Sequence, residues 1–408
     1  MKTVTLREIT LNITDGKHGD CEPAENSGYY FVSCKDVNNG TIDYANARQI
    51  SERAFLETHK RTQLEPNDIL ITNSGTIGRM ALVKDIPETY RTTFQKSVAI
   101  VKPDISVVLP TYLYYKLQNC VTDFVNCSNG SAQKNLLLGT IRKFQIDLHE
   151  DFAEQERLSS ILAAYDNLIE NNQKQIKLLE EAARRLYKEW FVNFRFPGYE
   201  DTPIVDGVPE GWEIRPSSDV FTFIRGKSYT SKELSNNQGT LMVNLKNISA
   251  FGGYNRNAEK RFTGKYKEEQ QLTPGDIIMG VTDMTQERRL VGHTAMVPDL
   301  KEKMTFSMDL IKLIPISVSK NYLYGTMLYG GFSYKISPLA NGVNVLHLKP
   351  EAIMNLPILV PSSSVMEAFD NVFNPICFRI ESLQEQIDVA SEARDRLLPK
   401  LMSGEIEV

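Results

Sequence analysis

The chain is short of the residues that build metal and redox sites. Its five cysteines, Cys21, Cys34, Cys120, Cys127 and Cys377, are odd in number and form no C-x-x-C pair. That excludes a disulfide framework and a cysteine-rich zinc site, and it suits reduced thiols in a cytoplasm. The five histidines, His18, His59, His149, His293 and His347, are scattered without metal-ligand spacing. No run approaches 18 apolar residues, so no membrane-spanning helix is expected. Met1-Lys2-Thr3-Val4-Thr5 opens the chain without an apolar signal region.

Catalytic patterns are missing too. Gly226-Lys227-Ser228 resembles the end of a phosphate-binding loop, but Phe221 stands where that motif needs glycine. Pro298-Asp299 followed by Glu302 and Met304 lacks nuclease carboxylate–lysine spacing. Asn374-Pro375 runs into Ile376-Cys377, not into the Pro-aromatic step that clamps a flipped adenine, and no glycine-rich cofactor loop accompanies it. No segment is free to be a methyltransferase or nuclease domain.

What is present is an ordinary globular composition, 41% hydrophobic and 24% charged over 408 residues, enough for two or three domains. The formal net charge of -5 is uneven. Residues 1–150 carry 17 Lys and Arg against 17 Asp and Glu, and residues 213–362 carry 18 against 13. The acidic excess lies in 151–191, 192–212 and 363–408, so the second globular part is basic. This favours nucleic-acid contact by the globular parts and protein docking by the rest.

The chain repeats itself about 210 residues on. Phe31-Val32-Ser33-Cys34-Lys35-Asp36-Val37 returns as Met242-Val243-Asn244-Leu245-Lys246-Asn247-Ile248. Leu64-Glu65-Pro66-Asn67-Asp68-Ile69-Leu70 returns as Leu272-Thr273-Pro274-Gly275-Asp276-Ile277-Ile278, and Gly78–Val83 returns as Gly292–Val297. Short alternating runs at Tyr29–Cys34, Ile69–Thr72, Met80–Val83 and Ser97–Val101 predict strands, and Pro110–Asn126 and Lys320–Tyr334 predict helices. The expected fold class is α+β: two strand-rich modules separated by two long helices, with a pseudo-two-fold relation. Such symmetry usually mirrors a two-fold ligand, of which duplex DNA is the commonest.

From Glu154 the period changes. Leu158, Leu162, Tyr165, Ile169, Asn172, Ile176, Leu179, Ala183, Leu186 and Trp190 alternate in steps of four and three. Phe369, Phe373, Ile376, Ile380, Leu383, Ile387, Ala390, Arg394, Leu397 and Leu401 repeat the pattern. Such seams predict two helices of about 40 residues, on the order of 60 Å long, pairing as an antiparallel coiled coil. Leu162, Ile169, Asn172 and Ile176 would meet Ile380, Leu383, Ile387 and Arg394, with polar Asn172 and Arg394 fixing register. Pro375 and Pro399 are expected to limit or kink the second helix near its ends. On this pattern the first helix sets the distance between the modules. The expected divisions are 1–150, the helix 151–191, a Pro/Gly-rich linker 192–212, 213–362, and the second helix with its tail, 363–408.

Two polar loops stand out. Asn73-Ser74-Gly75-Thr76-Ile77-Gly78-Arg79 follows a strand and exposes amides and hydroxyls suited to phosphate, or else is only a tight connection. Its repeat is expanded to Thr282–Arg289, with Arg288 and Arg289. Gly130-Ser131-Ala132-Gln133-Lys134-Asn135 is echoed by Ala340-Asn341-Gly342-Val343-Asn344, where amides suit adenine and lysine suits guanine or phosphate, or else the segment is only a loop before an apolar strand. Lys17 and His18 in the first module, and Arg225 and Lys227 in the second, complete the candidate DNA contacts. Lys17-His18-Gly19-Asp20 shows no likeness to Lys227-Ser228-Tyr229-Thr230, so the two modules diverge outside their shared framework.

The order module, helix, linker, module, helix, together with Glu154-Gln155-Glu156, Leu168-Ile169, Trp190-Phe191 and Pro209-Glu210-Gly211-Trp212, resembles the specificity subunit of type I restriction–modification systems. The resemblance covers the whole chain. It implies two target-recognition domains on double-stranded DNA, joined by helices that bind two modification (methyltransferase) subunits, with motor–nuclease restriction subunits joining them. It implies a non-catalytic chain. S-adenosylmethionine would belong to the methyltransferase partner, and adenine would be the methylated base. The first module lacks the Gly-Trp entry of the second, and the family geometry implies that its N-terminus meets Ser403-Gly404-Glu405-Ile406 instead. Two other classes are a recognition region fused to catalysis, which needs a domain this chain has no room for, and a coiled-coil scaffold without DNA, against which the basic second module and divergent loops argue.

Overall fold

The computed structural model describes residues 1–38, 40–130, 134–285, 287–343 and 345–406. The chain forms two compact units. One is Met1–Asn171 together with the segment from Gln386 on, and the other is Asn172–Glu385. Each unit holds one strand-rich module and part of each long helix.

In the first unit, β1 (Thr10–Asp15), β2 (Ile69–Thr72), β3 (Met80–Leu82) and β4 (Val98–Pro103) form an antiparallel sheet in the order β1-β4-β2-β3. Its central strands are buried on both faces: Ile69, Leu70, Ile71, Val98, Ala99, Ile100 and Val101 are all fully covered. Alternation therefore gives way to continuous apolar runs. A smaller sheet pairs Tyr30–Val32 in parallel with Thr92–Phe94. Lys2–Thr5 and Gln145–Leu148 close the module as an antiparallel pair. The second unit repeats the plan. There β5 (Phe221–Arg225), β6 (Ile277–Gly280), β7 (Thr294–Met296) and β8 (Leu310–Pro315) run in the order β5-β8-β6-β7. Thr240–Val243 pairs in parallel with Met304–Phe306, and Glu213–Pro216 closes on Pro357–Val360.

The long helices are α1 (Phe152–Tyr187), prolonged by a π-helical turn at Lys188–Val192, and α2 (Ser363–Ser403). None of the seam residues on either helix is exposed. Within the first unit, Arg394 donates to Asp166 at 2.7 Å, while Leu158 and Leu162 share a core with Leu397 and Leu401. Within the second, Arg379 reaches Gln175 at 3.4 Å, and Ala183, Tyr187 and Trp190 share a core with Phe369 and Phe373. In each unit the numbering rises on one helix as it falls on the other, so the segments run antiparallel. Pro375 and Pro399 do not limit α2, which runs through both. Each is exposed, so the carbonyl that loses its partner upstream of Pro375, on exposed Asn371, meets water.

Other expectations shift for local reasons. The helix expected over Pro110–Asn126 is two, Pro110–Asn119 and Val121–Asn126, broken at Cys120. Gly330 and Gly331 similarly divide Lys320–Tyr329 from Phe332–Ile336. The helix Glu52–Thr62 had no sequence forecast, because its surface is mostly polar and only Ala54, Phe55, Thr58 and Thr62 are buried. Trp212 of the second-module entry is buried against Phe191 and Phe196. At the first-module entry Leu401 and Met402 join the core that holds Val4 and Ile146, with Ile406 packed against it. The buried Lys116 ammonium donates to the Met402 carbonyl at 2.5 Å.

Candidate nucleic-acid interface

One end of each four-stranded sheet gathers the loops singled out above. In the first unit, β1 leaves the sheet through Gly16, which lies so close to the neighbouring backbone that a Cβ would meet the Phe94 carbonyl at 1.9 Å. The Lys17 N–H then donates to the Phe94 carbonyl at 2.8 Å, and the Lys17 carbonyl accepts from Lys96 N–H at 3.0 Å. Asn73 N–H donates to the Ser97 carbonyl at 3.0 Å, and the Asn73 carbonyl accepts from Leu136 at 2.8 Å. Ser74 pairs with Asn135, and Asn129 with Asn135. Cys34 N–H donates to the Ser97 hydroxyl at 3.1 Å. Loops starting at 17, 34, 73, 95 and 129 are thus stitched into one surface.

The second unit makes the same backbone–backbone bonds. A Cβ on Gly226 would meet the Ser307 carbonyl at 2.0 Å. Lys227 N–H donates to Phe306 at 2.7 Å, and Met308 N–H donates to the Lys227 carbonyl at 3.0 Å. Val281 N–H donates to Asp309 at 2.9 Å and its carbonyl accepts from Leu348 at 2.8 Å, while Asn341 pairs with His347. The backbone thus equates Lys17 with Lys227, Asn73 with Val281, Ser74 with Thr282, and Asn135 with His347. This corrects the expectation that Lys17 and Lys227 share nothing: the likeness is Gly16-Lys17 against Gly226-Lys227. Two residues inside unlike flanks are too short to align by eye. The glycine in each serves a close backbone crossing, not a phosphate loop.

The side chains differ in what they offer. Asn73 and Thr282 are buried, and the Thr282 hydroxyl donates to Asp309 at 3.1 Å. The Asn73 side-chain oxygen finds no partner among the described residues. Ser74 is buried, Asn135 is half-buried, and His18, Thr76, Arg79 and Lys134 are exposed. In the second unit Arg225 is taken by Glu351 at 2.6 and 2.7 Å, and Arg289 by Glu287. Lys227 and Arg288 are half-buried, Arg288 in a left-handed backbone conformation with φ 54°, and Asn341 is exposed. Gln133 and Asn344 lie outside the described residues.

Asp283 shapes the expanded loop. It is fully buried and accepts from the Thr285 N–H and hydroxyl at 2.8 Å and from the Leu290 N–H at 2.7 Å. Burial alone would raise its pKa, but these donors outweigh burial and hold the carboxyl below its ordinary value. Two residues of this surface escaped sequence reading: Lys35 and Lys246, exposed at the centres of equivalent turns. The signal was in the repeat, where both sit in the quoted match but pass as framework.

Two modules of one plan, with loop ends of unlike chemistry and antiparallel long helices, define a duplicated recognition protein. Over residues 15–181, and again over 209–375, the chain matches the type I restriction modification DNA specificity domain. The chain therefore belongs to the type I restriction–modification specificity subunits, with two recognition domains. It is 26% identical to the type I restriction enzyme MjaIX specificity subunit of Methanocaldococcus jannaschii, over 93% of this chain and 87% of that one. It is 21% identical to the HindI specificity subunit of Haemophilus influenzae, over 99% of both. Its fold is similar to the crystal structure of the type I restriction-modification system S subunit from M. genitalium, with TM-score 0.59 and 13% identity over 98% of this chain and 95% of that one.

Proposed function

We propose that each module reads one half of a split, asymmetric double-stranded DNA target through its loop end, and that the chain performs no chemistry itself. The observation that carries this reading is the pairing of one shared backbone scaffold with two divergent sets of side chains. One shared sheet plan with unlike loops suits two related but different half-sites. Two modification (methyltransferase) subunits would dock on the long helices, where Leu168, Leu178, Phe378 and Val389 are exposed apolar residues. Restriction subunits would join that complex. Adenine is the base methylated in this reading, and the partner holds S-adenosylmethionine. The complex works in the cytoplasm, where the DNA is.

Arg79, exposed, and Lys227, half-buried, are assigned to phosphate. Gln133, Lys134 and Asn344 are assigned to base edges. With a net charge of -5 the chain alone releases few counterions, so it binds DNA weakly until its partners clamp the duplex. A mobility-shift titration with and without the methyltransferase subunits tests this. Tight selective binding only in the complex supports the reading. Methylation of DNA by the purified chain with S-adenosylmethionine alone would overturn it.

A further inference from the structure

Lys35 and Lys246 occupy the middle of equivalent three-residue turns, Cys34–Asp36 and Leu245–Asn247. Each turn is fastened around its lysine. Ser33 N–H donates to the Asp36 carboxylate at 2.8 Å, and Asn244 N–H donates to the Asn247 side-chain oxygen at 2.9 Å. Asp36 and Asn247 are buried while both lysines are exposed. The strands that lead into the turns bond to the residues bridged by Lys17 and Lys227: Gln95 N–H donates to Val32 at 2.9 Å, and Ser307 N–H to Val243 at 2.8 Å. Some lysines of the chain are ion-paired, as Lys102 with Asp68, Lys301 with Asp299 and Lys312 with Asp276. Among the described residues no carboxylate lies within ion-pair distance of Lys17, Lys35, Lys227 or Lys246. Lys96, by contrast, stands opposite Met308 and is not duplicated.

We infer that Lys35 and Lys246 are a duplicated pair of phosphodiester anchors. Each holds the DNA backbone beside its own half-site, with Lys17 or Lys227 as neighbour, and fixes the register in which the divergent loops read bases. The inference rests on the proposal that the loop ends bind DNA. Its logic is that whatever both modules share must act on whatever both half-sites share. Bases differ between half-sites, and phosphates do not. A lysine on a fastened turn suits that role: its ammonium is a point charge with three donors, which needs no base geometry. The residues flanking the lysine have changed, Cys34 to Leu245 and Asp36 to Asn247, while the lysine recurs.

The test uses the chain assembled with its methyltransferase subunits. The DNA probes are the target duplex, mapped from wild-type methylation, and a duplex with both half-sites scrambled. Lys35→Ala and Lys246→Ala should each weaken binding to both duplexes by the same factor. Each should flatten the plot of log affinity against log salt by about 0.9. The methylated sequence should not change, and Lys35→Arg and Lys246→Arg should restore the slope. Alanine variants with wild-type affinity and slope overturn the inference. So does a loss confined to the target duplex with one base position relaxed, which marks a base contact. A wild-type complex that fails to tell the two duplexes apart overturns the DNA reading of the loop ends itself.

Discussion

Arg394 on α2 donates to Asp166 on α1 at 2.7 Å, and the opposite oxygen of the same carboxylate accepts from the Tyr115 hydroxyl at 2.6 Å. One carboxylate thus ties two long helices to the helix Pro110–Asn119 inside a single unit. Arg394→Ala should cost about 2 kcal/mol, the scale of a hydrogen bond to a charged group. The loss in Arg394→Ala/Asp166→Ala should fall short of the sum of the single losses by about 1 kcal/mol. Urea unfolding of the four proteins of this cycle checks it. Strict additivity would show that the two side chains do not act together.

The second-module loop hangs on Asp283. Asp283→Ala leaves the Thr285 and Leu290 N–H groups without this acceptor and should destabilise the second unit by about 1–3 kcal/mol. Recognition of the second half-site should suffer and that of the first should not. Methylation mapping with the variant reads both. Equal loss at both half-sites would remove Asp283 from a local role.

Burial lowers the pKa of His149 in the first unit and His293 in the second. The His149 ring also shares a hydrogen bond with the Tyr112 hydroxyl at 2.8 Å. A depressed folded pKa means that the unfolded chain takes up the proton first as pH falls. The stability from neutral His149 is therefore complete above the unfolded value of about 6.5, and it declines as pH drops from there toward the folded pKa. Melting temperature should decrease from about pH 7.5 to about pH 5.5, before most carboxylates titrate. His149→Gln should make that decrease shallower. A slope identical to wild type would place the titration elsewhere.

Much of this architecture was legible in the chain because repetition and period are coarse signals. The seams from Leu158 to Trp190 and from Phe369 to Leu401 carry their own burial pattern, and Asn172 and Arg394 stand out as their polar members. Asp166 did not, since one acidic residue beside a seam resembles any other until its partner is placed. The strand Ile69–Thr72 was readable as an apolar run, whereas Thr10–Asp15 was hidden by polar Thr14 and Asp15, which the fold buries. The equivalence of Gly16-Lys17 and Gly226-Lys227 depends on backbone crossings that no local pattern encodes. Asn73 and Thr282 looked like ligand groups because exposure cannot be read from residue type.

Ion pairing separates two neighbouring cations at the second loop end. Arg225 is held by Glu351, while no carboxylate comes within ion-pair distance of Lys227 among the described residues. Arg225→Ala should leave DNA affinity of the assembled complex within about twofold, because the Glu351 carboxylate already neutralises the guanidinium and no counterion release is lost with it. Lys227→Ala should reduce the salt slope by about 0.9. Salt titrations of both variants decide the order, and the reverse order would show that Arg225 leaves Glu351 for DNA.

The most direct test of the central claim is methylation mapping after exchange of residues 1–150 for the corresponding module of another specificity subunit. The hybrid is expressed with its methyltransferase partners, and modified bases are located across the host DNA. The expected result is a split target in which one half-site changes to a new sequence while the other half keeps its own. If both halves change, or if neither does, recognition is not divided between the two modules and the account fails.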